Sequence, residues 1–192
     1  MSEYVILRDL RLTGNMPSGF TSWWHNLNQV SVYGSIHHST AFWRLRHFFR
    51  EHGRMHTLFI LCHGYAGSSN ARRQSGDFGG GGLQLGLEDV THGNVSRWSS
   101  IRGYFNNIVV YACAAANTER GAEFTTQDGQ YLMGALAIHT NTNVYAADRI
   151  QWYNSVNFDF GNWEGQLMRF PPAGTAPSRV SRVPVDLSQM LR

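Results

Sequence analysis

Two short apolar runs in the sequence each end at a side chain that can do chemistry. The run LFILC is followed by His63 and Gly64, and the run IVVYA is followed by Cys113. A thiol becomes a strong nucleophile when a nearby imidazole accepts its proton, and the imidazole can later return that proton to a leaving group. The pair Cys113 and His63 is therefore a candidate dyad for acyl transfer.

Gly64 would serve the same chemistry through its backbone. A residue without Cβ lets the main chain approach a substrate carbonyl closely. The N–H groups of Gly64 and Cys113 could together form an oxyanion hole. Taken singly, a cysteine that ends a buried strand is more often a core residue, and a lone histidine is more often a hydrogen-bonded polar group. Only the pair favours catalysis.

Elements of two kinds must position these residues. Continuous apolar runs without alternation are typical of strands buried on both faces of a parallel sheet. The predicted strands cover residues 4–7 (at a sheet edge), 30–32, 57–62, 83–87, 108–112 and 143–147. Helices are predicted at 39–52, between a Ser39 or Thr40 cap and Gly53, within 95–105 and at 131–139. This order predicts an α/β fold with a mainly parallel sheet, whose sites form at the carboxyl ends of the strands.

Composition limits the possible functions. A chain of 192 residues with 42% hydrophobic residues predicts one domain, 1–192, in which 171–192 form a proline-broken tail over the surface. No apolar run is long enough to span a membrane and no Sec-type signal precedes the first strand. The net charge of +3 is dispersed, so no nucleic-acid partner is expected. We expect a cytoplasmic protein, or one secreted into a target cell without a Sec signal.

All 16 basic residues are arginines, and the chain has no lysine. GC-rich codon usage would produce this bias. Selection against lysine would also produce it, either in a protein delivered into a ubiquitinating host or in a protease that must resist its own activity. The sequence leaves both explanations open.

The two blocks resemble those of the caspase-like (clan CD) cysteine peptidases. The stretches LFILCHGYAG and IVVYACAAANT are similar to the histidine and cysteine blocks of that clan, and their reactive residues are 113 − 63 = 50 positions apart. The intervening GGLQLGLEDVTHGNVSRW is similar to bacterial CHAT-type proteases. The resemblance spans roughly residues 42–153. It implies a caspase-like three-layer sandwich, with Cys113 as nucleophile, His63 as base, Gly64 in the oxyanion site, and no metal or cofactor.

A specificity pocket follows from the same resemblance. The segment after the third predicted strand helps to line the primary pocket of these peptidases, so Asp148 becomes a candidate partner for a cationic side chain, with Trp152 and Tyr153 as walls. Asp77, in a glycine-rich loop, is a second candidate. The alternative is that Asp148 pairs with a surface arginine. Caspases carry Gln-Ala-Cys-Arg/Gln-Gly, which this chain lacks, so aspartate specificity does not carry over and we expect cleavage after lysine or arginine.

The sequence therefore predicts a cysteine endopeptidase acting on protein or peptide substrates. The lysine-free composition favours a bacterial effector or toxin, which would have a regulatory or immunity protein as partner. The alternatives are a catalytically silent binding module of the same fold and another thiol acyl-transfer enzyme, such as a deamidase. Cys62 is expected in the core, and the pair His37-His38 is expected on the surface.

Overall fold

A computed structural model of the protein describes residues 4–13, 27–65, 80–118, 123–126, 128–152, 154 and 162–187. These residues form an α/β fold around a seven-stranded, mostly parallel sheet. The strands are β1 (Tyr4–Asp9), β2 (Leu27–Val32), β3 (Met55–Leu61), β4 (His63–Tyr65), β5 (Gly82–Gln84), β6 (Phe105–Tyr111), β7 (Asn143–Ala147), β8 (Leu167–Phe170) and β9 (Ser178–Arg179).

The strand order in the large sheet is β2-β1-β3-β6-β7-β8-β9. The first five strands in this order are parallel to one another, and β8 and β9 are antiparallel additions at the far edge. The two remaining strands, β4 and β5, form a small antiparallel sheet of their own. The strands that precede His63 and Cys113, β3 and β6, are neighbours near the centre of the large sheet.

Side-chain alternation along the central strands divides the core in two. Leu58 and Ile60 of β3 face one apolar cluster, whereas Phe59 and Leu61 face the other. Such alternation follows from the period of two along a strand. Both clusters are buried, which explains why the apolar runs show no polar positions.

Helices cover the first of these two faces. They are α1 (His38–His52), a 3₁₀ helix (Val95–Ile101) and α2 (Gly129–Thr140). Each contributes buried apolar residues to the same cluster, with Trp98 of the 3₁₀ helix among the largest fully buried side chains. Among the described residues, the opposite face is instead covered by Leu12 and by residues from 162–187 that lie outside the three helices, including Trp163, Val183 and Leu187.

Several sequence predictions are confirmed and others are wrong. The helix before Gly53, the strands at β3 and β6, and the β7 strand are all present. Strand β1 is not an edge strand, because β2 pairs along its outer side. Helix α1 begins one residue before Ser39, and its cap is His37, which makes no side-chain capping bond. His38 is buried rather than on the surface.

The C-terminal tail also differs from expectation. Strand β9 lies within it, and Val183 and Leu187 are buried in the second cluster rather than lying over the surface. The hydroxyl of Tyr111 in β6 accepts a hydrogen bond from the Leu187 N–H (3.1 Å) and donates one to Asp186 (3.2 Å). The tail therefore packs directly against the strand that leads to Cys113.

Candidate active site

Register between the two central strands brings His63 and Cys113 to one rim of the sheet. Leu61 of β3 pairs with Tyr111 of β6 in parallel register. His63 and Cys113 each follow two residues later, so both lie just beyond the carboxyl ends of neighbouring strands. His63 is exposed and Cys113 is half-buried. Both side chains are therefore open to solvent at the place where α/β sheets bind ligands.

Cys62 belongs to the core, as expected from its position. It is 2% exposed and lies in the helix-covered cluster with Ile60. Burial raises the pKa of the Cys62 thiol well above its ordinary value, and the nearby carboxylates of Asp9 and Asp89 raise it further. Cys62 is consequently an unreactive thiol next to the candidate dyad, and Cys113 is the accessible one.

The backbones around Gly64 and Cys113 are in close contact. A Cβ at position 64 would overlap the carbonyl oxygen of Cys113 and would lie 3.0 Å from its carbonyl carbon and 3.3 Å from its nitrogen. Only glycine fits there, because any other side chain would begin inside the Cys113 peptide group. Gly64 thus allows the backbone beside His63 to lie in direct contact with the backbone of Cys113.

The chain turns sharply immediately after Cys113. Ala114 has a φ of 46°, in the left-handed region that an alanine adopts only at a cost. This conformation is held by a hydrogen bond from the Ala114 N–H to Arg149 O (2.8 Å) and by one from Ala116 to Ala147 O (2.9 Å). The Cys113 Sγ lies 3.9 Å from Gln151 O. The segment after β7 therefore holds the cysteine turn in place.

His63 has a defined hydrogen-bond partner. Its Nε2 lies 3.4 Å from the backbone oxygen of Arg11, in the turn that follows β1. A carbonyl oxygen can only accept, so Nε2 must carry the proton. In the neutral ring the lone pair then resides on Nδ1, which is the nitrogen able to accept a proton from a thiol.

Two backbone N–H groups near the thiol are not used elsewhere in the described residues. Ala114 donates to Arg149, but the hydrogen bonds described for this part of the chain do not engage the Cys113 N–H. Gly64 lies opposite Leu83 in the β4–β5 pair, but both backbone hydrogen bonds of Leu83 are made with Val90. Gly64 and Leu83 are therefore a non-hydrogen-bonded pair, and the Gly64 N–H is directed away from β5. These are the two donors that the sequence suggested for an oxyanion hole.

Beside His63 lies a buried ionic cluster that the sequence reading missed. Arg11 donates from Nε and Nη2 to the carboxylate of Asp9 (2.8 and 2.7 Å) and from Nη2 to Gly86 O (2.8 Å). Nη2 also lies 3.4 Å from Asp89. Asp9 and Asp89 are 0% and 5% exposed. The hydrogen bonds that Arg11 donates to Asp9, together with the negative charges of Asp9 and Asp89, raise the pKa of the Arg11 guanidinium, so Arg11 stays positively charged.

The candidate pocket residues are only partly brought to this rim. Asp148 follows β7, and its Oδ1 accepts a hydrogen bond from the Gln166 N–H (2.8 Å). Among the described residues, no arginine pairs with it. Trp152 is 72% exposed. Tyr153 and Asp77 lie outside the described residues.

The residues that sequence reasoning missed share one property: their roles depend on backbone contacts between distant segments. Gln151 is buried, and its side-chain amide donates to Arg149 O (3.0 Å) and Glu164 O (2.9 Å). The backbone carbonyl of Gln151 faces the Cys113 thiol. Asp9 could have been suspected, because an acidic residue at the carboxyl end of a strand sits at the same rim as His63 and Cys113.

Comparison with known proteins adds no relative: no family model, curated protein or solved structure matches this chain. Among the described residues, neither α1, α2 nor the 3₁₀ helix combines the length and apolar character that a membrane crossing requires.

Proposed function

We propose that the protein is a cysteine endopeptidase of the caspase-like type, acting through Cys113 and His63. The observation that supports this most is the register of β3 and β6, which puts both residues two positions beyond paired strand ends. His63 is exposed and Cys113 is half-buried, whereas the neighbouring Cys62 is buried, and these differences support the same assignment.

Acylation would begin with the transfer of the Cys113 proton to Nδ1 of His63. The thiolate then attacks the carbonyl carbon of the scissile peptide bond and forms a C–S bond as the carbonyl π electrons move to oxygen. When the tetrahedral intermediate collapses, the C–N bond breaks, and the imidazolium gives its proton to the departing amine. The product at this stage is a thioester on Cys113.

Deacylation repeats these steps with water as the nucleophile. His63 takes a proton from the water, the hydroxide adds to the thioester carbonyl, and the Cys113 sulfur leaves with the returned proton. In both halves the N–H groups of Gly64 and Cys113 stabilise the negative oxygen. One such donor contributes on the order of 10²–10³ in rate.

The proposed family relation extends to the fold and to the substrate. A mostly parallel central sheet with helices on one face is compatible with a caspase-like three-layer sandwich. Asp148, next to the exposed Trp152, is the proposed partner of a lysine or arginine before the scissile bond. The missing lysines fit a lysine-cutting enzyme that must not cleave itself, delivered as an effector or toxin, whereas the 16 arginines weigh against arginine as the preferred residue.

The test compares three variants in two assays. Iodoacetamide should label Cys113 much faster than Cys62, and the protein should cleave members of a peptide library. Cys113→Ala and His63→Ala should both lose hydrolysis with the fold intact by circular dichroism. Cys62→Ala should keep it, because this thiol faces the core. Slow labelling of Cys113, with no cleavage of any peptide, would instead favour a catalytically silent binding module.

A further inference from the structure

The turn that contacts His63 is held by an unusual concentration of charge. Residues Asp9 to Leu12 close a turn in which Leu12 N–H donates to Asp9 O (3.1 Å). Asp9 Oδ1 accepts from both the backbone N–H (2.9 Å) and the Nε of Arg11. The carboxylate of Asp9 thus binds the backbone N–H and the guanidinium of Arg11 and holds this residue in place. The Leu12 N–H bond to Asp9 O orients the next peptide group, which carries the Arg11 carbonyl.

The same carboxylate ties the turn to a second segment. Asp9 Oδ2 accepts from the Gly86 N–H (2.8 Å), while Arg11 Nη2 donates to the Gly86 oxygen. The side chain of Asp89 also lies near Arg11 Nη2. Gly86 has a φ of 63°, which suits glycine in the left-handed region. The turn after β1 and the loop after β5 are therefore locked together around one guanidinium.

Burying two carboxylates beside one arginine is costly unless geometry and hydrogen bonding are good, and replacement by apolar residues often stabilises a protein. A role in stability alone therefore explains this cluster poorly. The cluster also makes a direct contact with the candidate dyad: the Arg11 carbonyl, in the turn that the cluster holds, is the oxygen that accepts the hydrogen bond from Nε2–H of His63.

We propose that Asp9, Arg11 and Asp89 are positioning residues for His63: the cluster holds the Arg11 carbonyl where it keeps the ring in its Nε2–H tautomer. Nδ1 is thereby left unprotonated and ready to receive the thiol proton. This inference rests on the proposed function of His63 as the base. Their proposed role is to position His63 and not to take part in the bond changes.

Two measurements on the full chain test it. Long-range ¹⁵N–¹H correlation spectra of ¹⁵N-labelled protein report which nitrogen of neutral His63 carries the proton. The rate of Cys113 labelling by iodoacetamide reports how well the base serves the thiol. In the parent protein we expect the Nε2–H tautomer alone. Arg11→Lys keeps the charge but cannot make the two-nitrogen contact with Asp9. It should populate both tautomers and slow labelling about tenfold or more.

Arg97→Lys is the matched control, since Arg97 makes a loose surface contact with Glu88 (3.9 Å) and should leave both readouts unchanged. If Arg11→Lys does not fold by near-UV circular dichroism, Asp89→Asn takes its place, with a smaller shift in the same direction. A folded variant with a single Nε2–H tautomer and the parent labelling rate would overturn the inference. Failure of the proposed function is separate: Cys113 would then label slowly in the parent protein, while the tautomer spectra would still decide the role of the cluster.

Discussion

Replacing Gly64 by alanine tests the close approach of the two candidate loops. The added methyl would overlap the Cys113 carbonyl oxygen, and Cβ atoms essentially never come closer than 3.0 Å to another heavy atom. The obstacle is backbone rather than a flexible side chain, so the loops must separate. A displacement of about 1 Å between catalytic groups costs on the order of 10²-fold in rate.

The same substitution should also lower stability. Forcing extra volume into a close-packed contact costs about 1–3 kcal/mol. For a chain of this size, a loss of about 2 kcal/mol corresponds to about 4–8 °C in melting temperature. The assay is the rate of Cys113 labelling by iodoacetamide, followed by mass spectrometry, alongside a thermal melt. The labelling rate and the melting temperature should both be lower than in the parent protein.

The matched control is Gly134→Ala in α2, where a Cβ would meet no heavy atom within 4 Å. That change should raise helix stability by about 0.5–1 kcal/mol and leave labelling unchanged. If Gly64→Ala labelled at the parental rate and melted at the parental temperature, the reasoning from backbone contact to catalytic geometry would be wrong.

Three further predictions concern other parts of the chain. Cys62→Ala should cost about 1 kcal/mol of stability, measured by urea unfolding, and leave Cys113 as fast-labelling as before. Burial alone would raise the pKa of Asp128, but hydrogen bonds from Thr118 and from the backbone N–H groups of Tyr131 and Phe124 outweigh this effect and lower that pKa from its ordinary value of 3.8. Asp128 therefore stabilises the fold above that pH, so Asp128→Ala should cost about 1–2 kcal/mol at pH 7, and the difference should shrink as the pH falls below 3.8. Among matched fluorogenic peptides ending in lysine, arginine, aspartate or leucine, the basic pair should be cleaved best and Asp148→Asn should remove the preference; cleavage after leucine alone would refute the pocket.

The parts of the fold and of the candidate site that depend on local sequence pattern were predictable, and those that depend on contacts between distant segments were not. The strands before His63 and Cys113 were predictable because each is a run of β-branched and aromatic residues buried on both faces. Their adjacency was expected from the candidate dyad, because its two residues can meet at the carboxyl ends only if the strands are neighbours. Cys62 was assigned to the core because successive side chains on a strand point to opposite faces, so Cys62 and His63 cannot share one.

The errors arose where tertiary contacts outweigh local pattern. The prolines in 171–192 suggested a surface tail, yet Leu187 is buried because its N–H and side chain meet β6. The sequence analysis did not single out Asp9 and Arg11, because nothing local shows that Gly86, 75 residues after Arg11, supplies the carbonyl that completes their contact. Helix periodicity likewise could not separate an α-helix from the 3₁₀ helix at Val95–Ile101.

The contact between Leu187 and Tyr111 has a consequence for synthesis. A ribosome adds residues in order, and the strand that leads to Cys113 is made 76 residues before Leu187, which packs against it. Until Leu187 has been made, the Tyr111 hydroxyl lacks its hydrogen bonds to Asp186 and to the Leu187 N–H. We expect the second face of the sheet to complete its packing only after the helix-covered face has formed.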